Sequence, residues 1–235
     1  MTRIRIVPSS DAEAALWRTA AEVAGLFGTW PWIIIGAQMI MLLEHERGRP
    51  SGRTTGDLDV IVDVRVVVDG MRQAAERLRQ AGFEPSAEHP YRFVRGRDQV
   101  DLLAPDHLGP RADLATVPPL TMTQIPGGSR ALATRRLIPV DIVSIGTAEL
   151  PVPSIPGAIV LKLRAHQARV ERRDVEDLVR LLALVNDVEM VRAELKTSER
   201  RGLGAITALG DETNAAWDVV PDADDARAAF GRLVD

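Results

Sequence analysis

The sequence predicts an α/β fold in which a mixed sheet with flanking helices precedes a helical C-terminal region. Through the first 150 residues, segments with strand periodicity alternate with segments of helical periodicity. After a segment with three prolines, residues 151–156, only the helical period remains. These observations predict an α/β domain over residues 1–150 and a helical domain over residues 151–235.

Caps, breakers and periodicity locate the individual elements. Ser10 and Asp11 are typical helix-capping residues, and a β-branched run ends at Gly36. In chain order the predicted elements of the α/β part are a helix at 12–26, a strand at 32–35, a helix at 38–47, a loop at 48–56, a strand at 58–64, a helix at 69–82, hairpin strands at 91–94 and 99–103, loops at 105–128, and one or two strands within 130–145. Helices are predicted at 157–185, 188–199, 203–209 and 223–234 in the helical part.

The composition favours a soluble, cytoplasmic protein. Hydrophobic residues make up 46% of the chain and charged residues 26%, and there is no cysteine. The lack of cysteine excludes disulfides, thiol catalysis and cysteine-based zinc sites, and it suits a reducing compartment. No signal peptide is visible, and the most apolar window, residues 30–43, is shorter than the roughly 20 residues that span a bilayer. We therefore expect no membrane partner. Because the net charge is −4, binding of nucleic acid would depend on a local basic surface.

Asp57 and Asp59 stand two residues apart at the start of the strand LDVIVDV. Residues at this spacing point to the same face of a strand, about 6.6 Å apart along the backbone. Two carboxylates placed in this way can share metal ions, and a pair of metals activates an attacking oxygen and stabilises a leaving pyrophosphate. Oxygen ligands favour Mg²⁺ or Mn²⁺ over zinc.

A third carboxylate is expected from a neighbouring strand. Asp101 in QVDLL is the preferred candidate, because an isolated carboxylate among apolar residues requires a cation or a hydrogen-bond donor. Asp141 in IPVDIV has the same local pattern and is the alternative.

The segment from residue 33 to residue 64, IIIGAQMIMLLEHERGRPSGRTTGDLDVIVDV, resembles a motif of the AbiEii-type and related minimal nucleotidyltransferases. In that family a strand ends at Gly-Gly or Gly-Ser, a helix follows, and Arg-x-Thr-x-Asp-x-Asp opens the next strand. The matching positions here are Gly36, Ala37, Arg53, Thr55, Asp57 and Asp59. The family's later acidic strand is similar to VDLL with Asp101. Its downstream lysine and Lys/Arg-Asp-x-x-Asp element are similar to Lys162 and to residues 173–177, which include Asp174.

The resemblance covers about residues 30–185 and implies a nucleotidyltransferase-like fold. It implies Mg²⁺-dependent transfer of a nucleoside monophosphate from an NTP to an acceptor, with Asp57, Asp59 and Asp101 as metal ligands. Several members are toxins of toxin–antitoxin pairs that act on tRNA, so RNA is a candidate acceptor and an antitoxin protein a candidate partner. Ala37 departs from the Ser or Gly of many members. Because of this departure, a catalytically lapsed binding module is an alternative function. An antibiotic-modifying nucleotidyltransferase is a further alternative.

A basic stripe follows the proline-rich segment. Lys162, His166, Arg169 and Arg173 recur at helical spacing and suit either a phosphate-binding face or a solvated one. We expect the ammonium of Lys162 to be free to neutralise a triphosphate, with Arg169 beside it. Asp174 is expected to orient these basic residues, or else to pair within its own helix. Gly36, Ala37, Arg53 and Thr55 are the other positions expected to bind the nucleotide.

Overall fold

The computed structural model describes residues 3–49, 52–67, 69–109 and 123–235. The chain divides into two compact units, Met1–Pro153 and Ser154–Asp235, and this division falls three residues after the predicted one. The first unit combines helices with two sheets and the second is helical, so the predicted α/β class is confirmed. No helix within the described ranges is long and apolar enough to cross a membrane.

The first unit contains nine strands and four helices among its described residues. In chain order they are β1 (Ile4–Ile6), α1 (Asp11–Phe27), β2 (Trp32–Ile34), α2 (Gly36–Glu46), β3 (Leu58–Val62), α3 (Gly70–Gln80), β4 (Glu84–Pro85), β5 (Arg92–Arg95), β6 (Asp98–Pro105), β7 (Gln124–Ile125), α4 (Gly128–Ala133), β8 (Arg135–Ile142) and β9 (Gly146–Pro153).

The second unit contains six α-helices and a short 3-10 helix, Ala215–Val219, among its described residues. The α-helices are α5 (Ile155–Arg169), α6 (Arg172–Ala183), α7 (Val188–Glu194), α8 (Thr197–Gly204), α9 (Thr207–Gly210) and α10 (Ala223–Val234).

The larger sheet of the first unit has the strand order β2-β3-β6-β5-β4, and β7 pairs with β6. β2 is antiparallel to β3, whereas β3 and β6 are parallel. A parallel pair needs a crossover connection, and α3 lies in the chain between these two strands. β5 and β6 form the predicted hairpin, with Gly96 at φ 61° in its turn. The strands that carry the candidate site are fixed by burial: Ile33, Ile34, Val60, Ile61 and Leu102 are fully buried.

The smaller sheet has the order β1-β8-β9 and corrects two sequence-based expectations. The predicted strand region 130–145 begins with α4 and continues as β8, and the first part of the predicted proline-rich boundary belongs to β9. Prolines are tolerated there because β9 is an edge strand. Pro156 lies in the first turn of α5, where its missing N–H has no partner to lose. Most of the predicted loop at 105–128, residues 110–122, lies outside the described residues.

The long helix predicted at 157–185 is in fact two helices, α5 and α6, which corrects that prediction. The chain turns at Val170, whose φ of 50° ends α5 in the left-handed region. A β-branched residue rarely adopts this conformation, and neither glycine nor proline marks the break in the sequence.

Candidate metal centre

Asp57, Asp59 and Asp101 converge where the start of β3 pairs with the middle of the neighbouring parallel strand β6. Asp59 on β3 is in register with Asp101 on β6, and Asp57 precedes β3 by one residue. One ligand oxygen from each of the three carboxylates lies within 4.8 Å of the others. Asp101 is buried, and the other two are half-buried. Asp101 is therefore placed beside the pair, as the sequence predicted.

Asp141, the alternative third carboxylate, lies on a different sheet. It belongs to β8, where it is in register with Arg5 on β1 and Thr147 on β9. The two candidates have the same local sequence pattern, so only the strand order separates them.

Gly36 forms the turn between β2 and α2 and lies against Asp59. Its φ is 66°, and a Cβ atom added to it would lie 1.9 Å from Asp59 Oδ2. The backbone N–H of Ile35 donates to the carbonyl of Asp59 at 2.9 Å, which ties this turn to the start of β3. Glycine is thus required here on two counts, the positive φ and the close approach. The neighbouring Ala37 is buried in the first turn of α2. Binding of a triphosphate by Gly36 and Ala37 stays a prediction.

Arg92, which the sequence reasoning missed, bridges two of the three carboxylates. Its Nε and Nη2 atoms each donate to Asp101 at 2.8 Å, and Nη2 also lies 3.4 Å from Asp57 Oδ2. Hydrogen bonding to Asp101 raises the pKa of Arg92 above its ordinary value. The hairpin register gives the signal that could have found it. Arg95 faces Asp98 across the turn, so Arg92 faces Asp101 three residues further back.

Thr55 and Arg53 lie immediately before the acidic strand, as the motif implied. The Thr55 hydroxyl donates to the carboxylate of Asp57, and it also accepts from the Asp57 backbone N–H at 3.4 Å. Arg53 is half-buried and donates to the carbonyl of Thr54 at 3.1 Å. Thr55 therefore helps to orient a candidate ligand. Contact of Arg53 or Thr55 with nucleotide stays a prediction.

A groove with a volume of about 340 Å³ borders the acidic motif at Thr55 and Gly56. The first half of α1 and the hairpin turn at residues 97–99 form its other walls. A smaller cavity of about 110 Å³ lies along Arg53, Thr54 and Thr55. The larger volume is within the range of small-molecule sites. Space for part of a substrate thus exists in the same unit as the three carboxylates.

Lys162 is not free within the helical unit, and this corrects the sequence-based expectation. Its Nζ atom lies 2.7 Å from Asp177 Oδ2, and both side chains are buried, 7% and 1% exposed. Arg169 donates to Asp174 through Nε at 2.8 Å and Nη2 at 2.9 Å. These ion pairs join α5 to α6. Asp174 does orient a basic residue, as expected, but catalytic or nucleotide-binding roles for Lys162, Arg169 and Asp174 stay predictions.

The donor set of the cluster fits a hard divalent cation. Three carboxylates offer only oxygen ligands, and they carry up to three negative charges that a cation would offset. Adjacent oxygens around an octahedral Mg²⁺ are about 3 Å apart, so a modest contraction of the cluster would bring all three to one ion. The cluster could hold a metal ion, and its identity as Mg²⁺ or Mn²⁺ stays a prediction.

The sequence does not match any protein-family model, and it has no significant match among curated proteins. The resemblance to nucleotidyltransferases therefore depends on the sequence motifs quoted above.

Proposed function

We propose that this protein is a metal-dependent nucleotidyltransferase that moves a nucleoside monophosphate from an NTP to an acceptor. The observation that carries the proposal is the convergence of Asp57, Asp59 and Asp101 within 4.8 Å, where the start of β3 pairs with the middle of β6. The fold assignment is part of the proposal. It is supported by the β2–Gly36–α2 unit beside the acidic strand and by the parallel pairing of the two acidic strands.

The chain's own groups divide the task between them. The three carboxylates hold the metal, and Thr55 fixes the orientation of Asp57. When bound, divalent metal supplies charge neutralisation for the leaving pyrophosphate and activation of the attacking oxygen. Gly36 lets the start of α2 approach Asp59, and the positive end of that helix suits an anionic phosphate group. The groove beside Thr55 offers room for the rest of a substrate.

Transfer from labelled nucleotide tests the proposal directly. The protein is incubated with Mg²⁺, total RNA and each of the four NTPs, labelled in turn at the α-phosphate and at the γ-phosphate. We expect the α-label, but not the γ-label, to enter an acceptor, because pyrophosphate is the leaving group. Asp57→Asn and Asp59→Asn should each lower the transfer rate by at least about a hundredfold, since each removes a ligand charge from the site.

The acceptor is identified by replacing RNA in the same assay. Aminoglycosides or other small hydroxyl-bearing antibiotics, and proteins encoded beside this chain, are offered one class at a time. Label in RNA supports a toxin-like activity, and label in the small molecule supports an antibiotic-modifying one. If no acceptor is labelled and calorimetry detects no NTP binding, the catalytic proposal is wrong.

A further inference from the structure

The guanidinium of Arg92 lies where a cation shared by two of the site carboxylates would lie. Its Nη2 atom contacts Asp101 Oδ2 at 2.8 Å and Asp57 Oδ2 at 3.4 Å. The side chain of Asp101 is only 7% exposed, so little water is available to solvate its charge. Arg92 thus supplies the positive charge that keeps the crowded carboxylates together.

The position of Arg92 is set by the hairpin. β5 pairs antiparallel with β6, and this register places Arg92 directly opposite Asp101. The side-on contact uses both Nε and Nη2, which gives a bidentate pair that a flexible surface arginine rarely holds. The arrangement is therefore a built feature of the sheet.

A metal ion and this guanidinium would compete for the same carboxylate oxygens. A divalent ion bridging Asp57 and Asp101 would lie about 2.0–2.6 Å from an oxygen of each. Nη2 already contacts both Oδ2 atoms, and two cations in this gap would repel each other strongly at such short range. An ion that bridges these two Oδ2 atoms would therefore require the guanidinium to withdraw.

We propose that Arg92 is a displaceable counter-cation, which holds Asp57 and Asp101 together in the metal-free protein and competes with the divalent ion for them. This inference rests on the proposed metal site. Arg92 acts through the carboxylates and is a positioning residue whose displacement sets the metal affinity. The opposite role is also chemically reasonable. An arginine that stays bound to Asp101 and orients it would strengthen metal binding, as outer-sphere partners of metal ligands do. The two roles predict opposite signs when Arg92 is replaced.

The experiment is a titration with Mn²⁺ alone, in which electron paramagnetic resonance measures the free ion. It compares the wild type with Arg92→Met, Arg92→Lys and the control Arg97→Met. Arg97 lies exposed in the turn of the same hairpin, so its replacement removes the same charge without removing a contact with the cluster. We expect Arg92→Met to bind Mn²⁺ about tenfold or more tightly than the wild type, because no charge-assisted hydrogen bonds have to be broken. Arg92→Lys should lie between them, since it keeps the charge and loses the fork. Arg97→Met should stay within about twofold of the wild type, because solvent and salt screen the charge of an exposed side chain.

Thermal melting supplies a second readout that does not depend on activity. Without metal, Arg92→Met should melt below the wild type, because Asp101 loses its partner. Saturating Mn²⁺ should raise its midpoint by more degrees than it raises that of the wild type. If Arg92→Met does not fold without metal, Arg92→Lys carries the test, because it keeps a charge beside Asp101 and loses only the fork. Competition still requires Arg92→Lys to bind Mn²⁺ more tightly than the wild type, and equal or weaker binding overturns it.

Each outcome decides the proposal. Unchanged or weaker Mn²⁺ binding by Arg92→Met overturns the competition and leaves the metal site intact. An equal gain in Arg97→Met would show that general charge, and not displacement, is responsible. If neither the wild type nor any variant binds Mn²⁺, both this inference and the metal-dependent function proposed above are wrong.

Discussion

At the scale of single residues, the candidate site depends on one missing side chain as much as on the carboxylates. Asp59 Oδ2 occupies the space in which a Cβ on Gly36 would lie, and the same glycine adopts a φ of 66°. The β2–α2 turn therefore packs directly against the carboxylate of Asp59, one of the candidate ligands. A substituent at this position would force the Asp59 carboxylate to turn away from its neighbours.

Gly36→Ala is expected to lower the Mn²⁺ affinity by at least about tenfold, the usual cost of disturbing the support of a metal ligand. Gly48→Ala is the matched control. Gly48 has the same φ of 66°, but nothing lies within 4 Å of the position that an added Cβ atom would take. Both variants carry the strain of alanine in the left-handed region, about 1–2 kcal/mol, so both should melt at a lower temperature. Only Gly36→Ala should lose metal affinity. Equal Mn²⁺ affinity in the two variants would show that the contact with Asp59 does not matter.

At the scale of elements, local sequence patterns predicted the strands and helices that local causes determine, but not the contacts between them. The strand–Gly–helix unit and the strand beginning at Leu58 follow from periodicity and from the glycine break. The choice of Asp101 over Asp141 depends on which strands become neighbours, and both have the same local pattern. Arg92 was missed because its role appears only when the hairpin register is extended back from the turn.

In the helical unit, too, local spacing located the side chains but not their partners. Spacing correctly placed Lys162 and Arg169 on one helix, but it gave no sign that α5 ends at Val170. The chain turns back there, and Asp177 on α6 comes within 2.7 Å of the Lys162 ammonium. A basic stripe that resembles a binding face is thus partly a set of buried cross-helix pairs.

Lys162→Met is expected to destabilise the protein by about 3–5 kcal/mol, because it leaves the Asp177 carboxylate buried without its cation. Replacing both partners, as Lys162→Met/Asp177→Leu, should recover much of this loss, since neither charge then remains buried. Lys196→Met removes an exposed lysine side chain of the same unit but keeps the backbone N–H bond to Glu199 at the start of α8, so it should change stability by less than about 0.5 kcal/mol. Chemical denaturation of the four proteins measures these values. An unchanged free energy of unfolding in Lys162→Met would restore the view that this lysine serves only a ligand.

At the scale of the whole molecule, buried carboxylates are accommodated where a basic side chain pairs with them. Among the described residues, Asp101, Asp174 and Asp177 are buried, and each is paired with a basic side chain. For His45 on α2, in contrast, neighbouring charges do not compensate fully for burial. Burial lowers its pKa from the ordinary value of 6.5, and the nearby Glu13 and Glu44 only partly offset this effect. Its Nε2 atom lies 3.8 Å from Glu13 Oε1, beyond hydrogen-bond distance.

This environment predicts a loss of stability in mild acid. Between the lowered pKa of His45 and 6.5, the unfolded chain binds more protons at this residue than the folded protein does. The free energy of unfolding must therefore fall as the pH drops through about 6.5, and it levels off once the folded form is protonated too. The pKa of Glu13 lies below its ordinary value of 4.5: burial alone would raise it, but hydrogen bonds from Ser9 and Trp17 and the charge of His45 outweigh burial. Its own contribution is thus lost only at lower pH, as the pH falls below about 4.5.

His45→Gln should flatten the dependence of the unfolding free energy on pH between about 7.5 and about 5.5, because the titrating group is gone. His107→Gln is the control, since the His107 side chain is 85% exposed. Urea denaturation followed by tryptophan fluorescence suits the test. The Trp17 ring lies edge-on to His45 at 5.8 Å and reports on that part of the first unit. If His45→Gln retained the full slope of the wild type, the acid sensitivity would belong to another group.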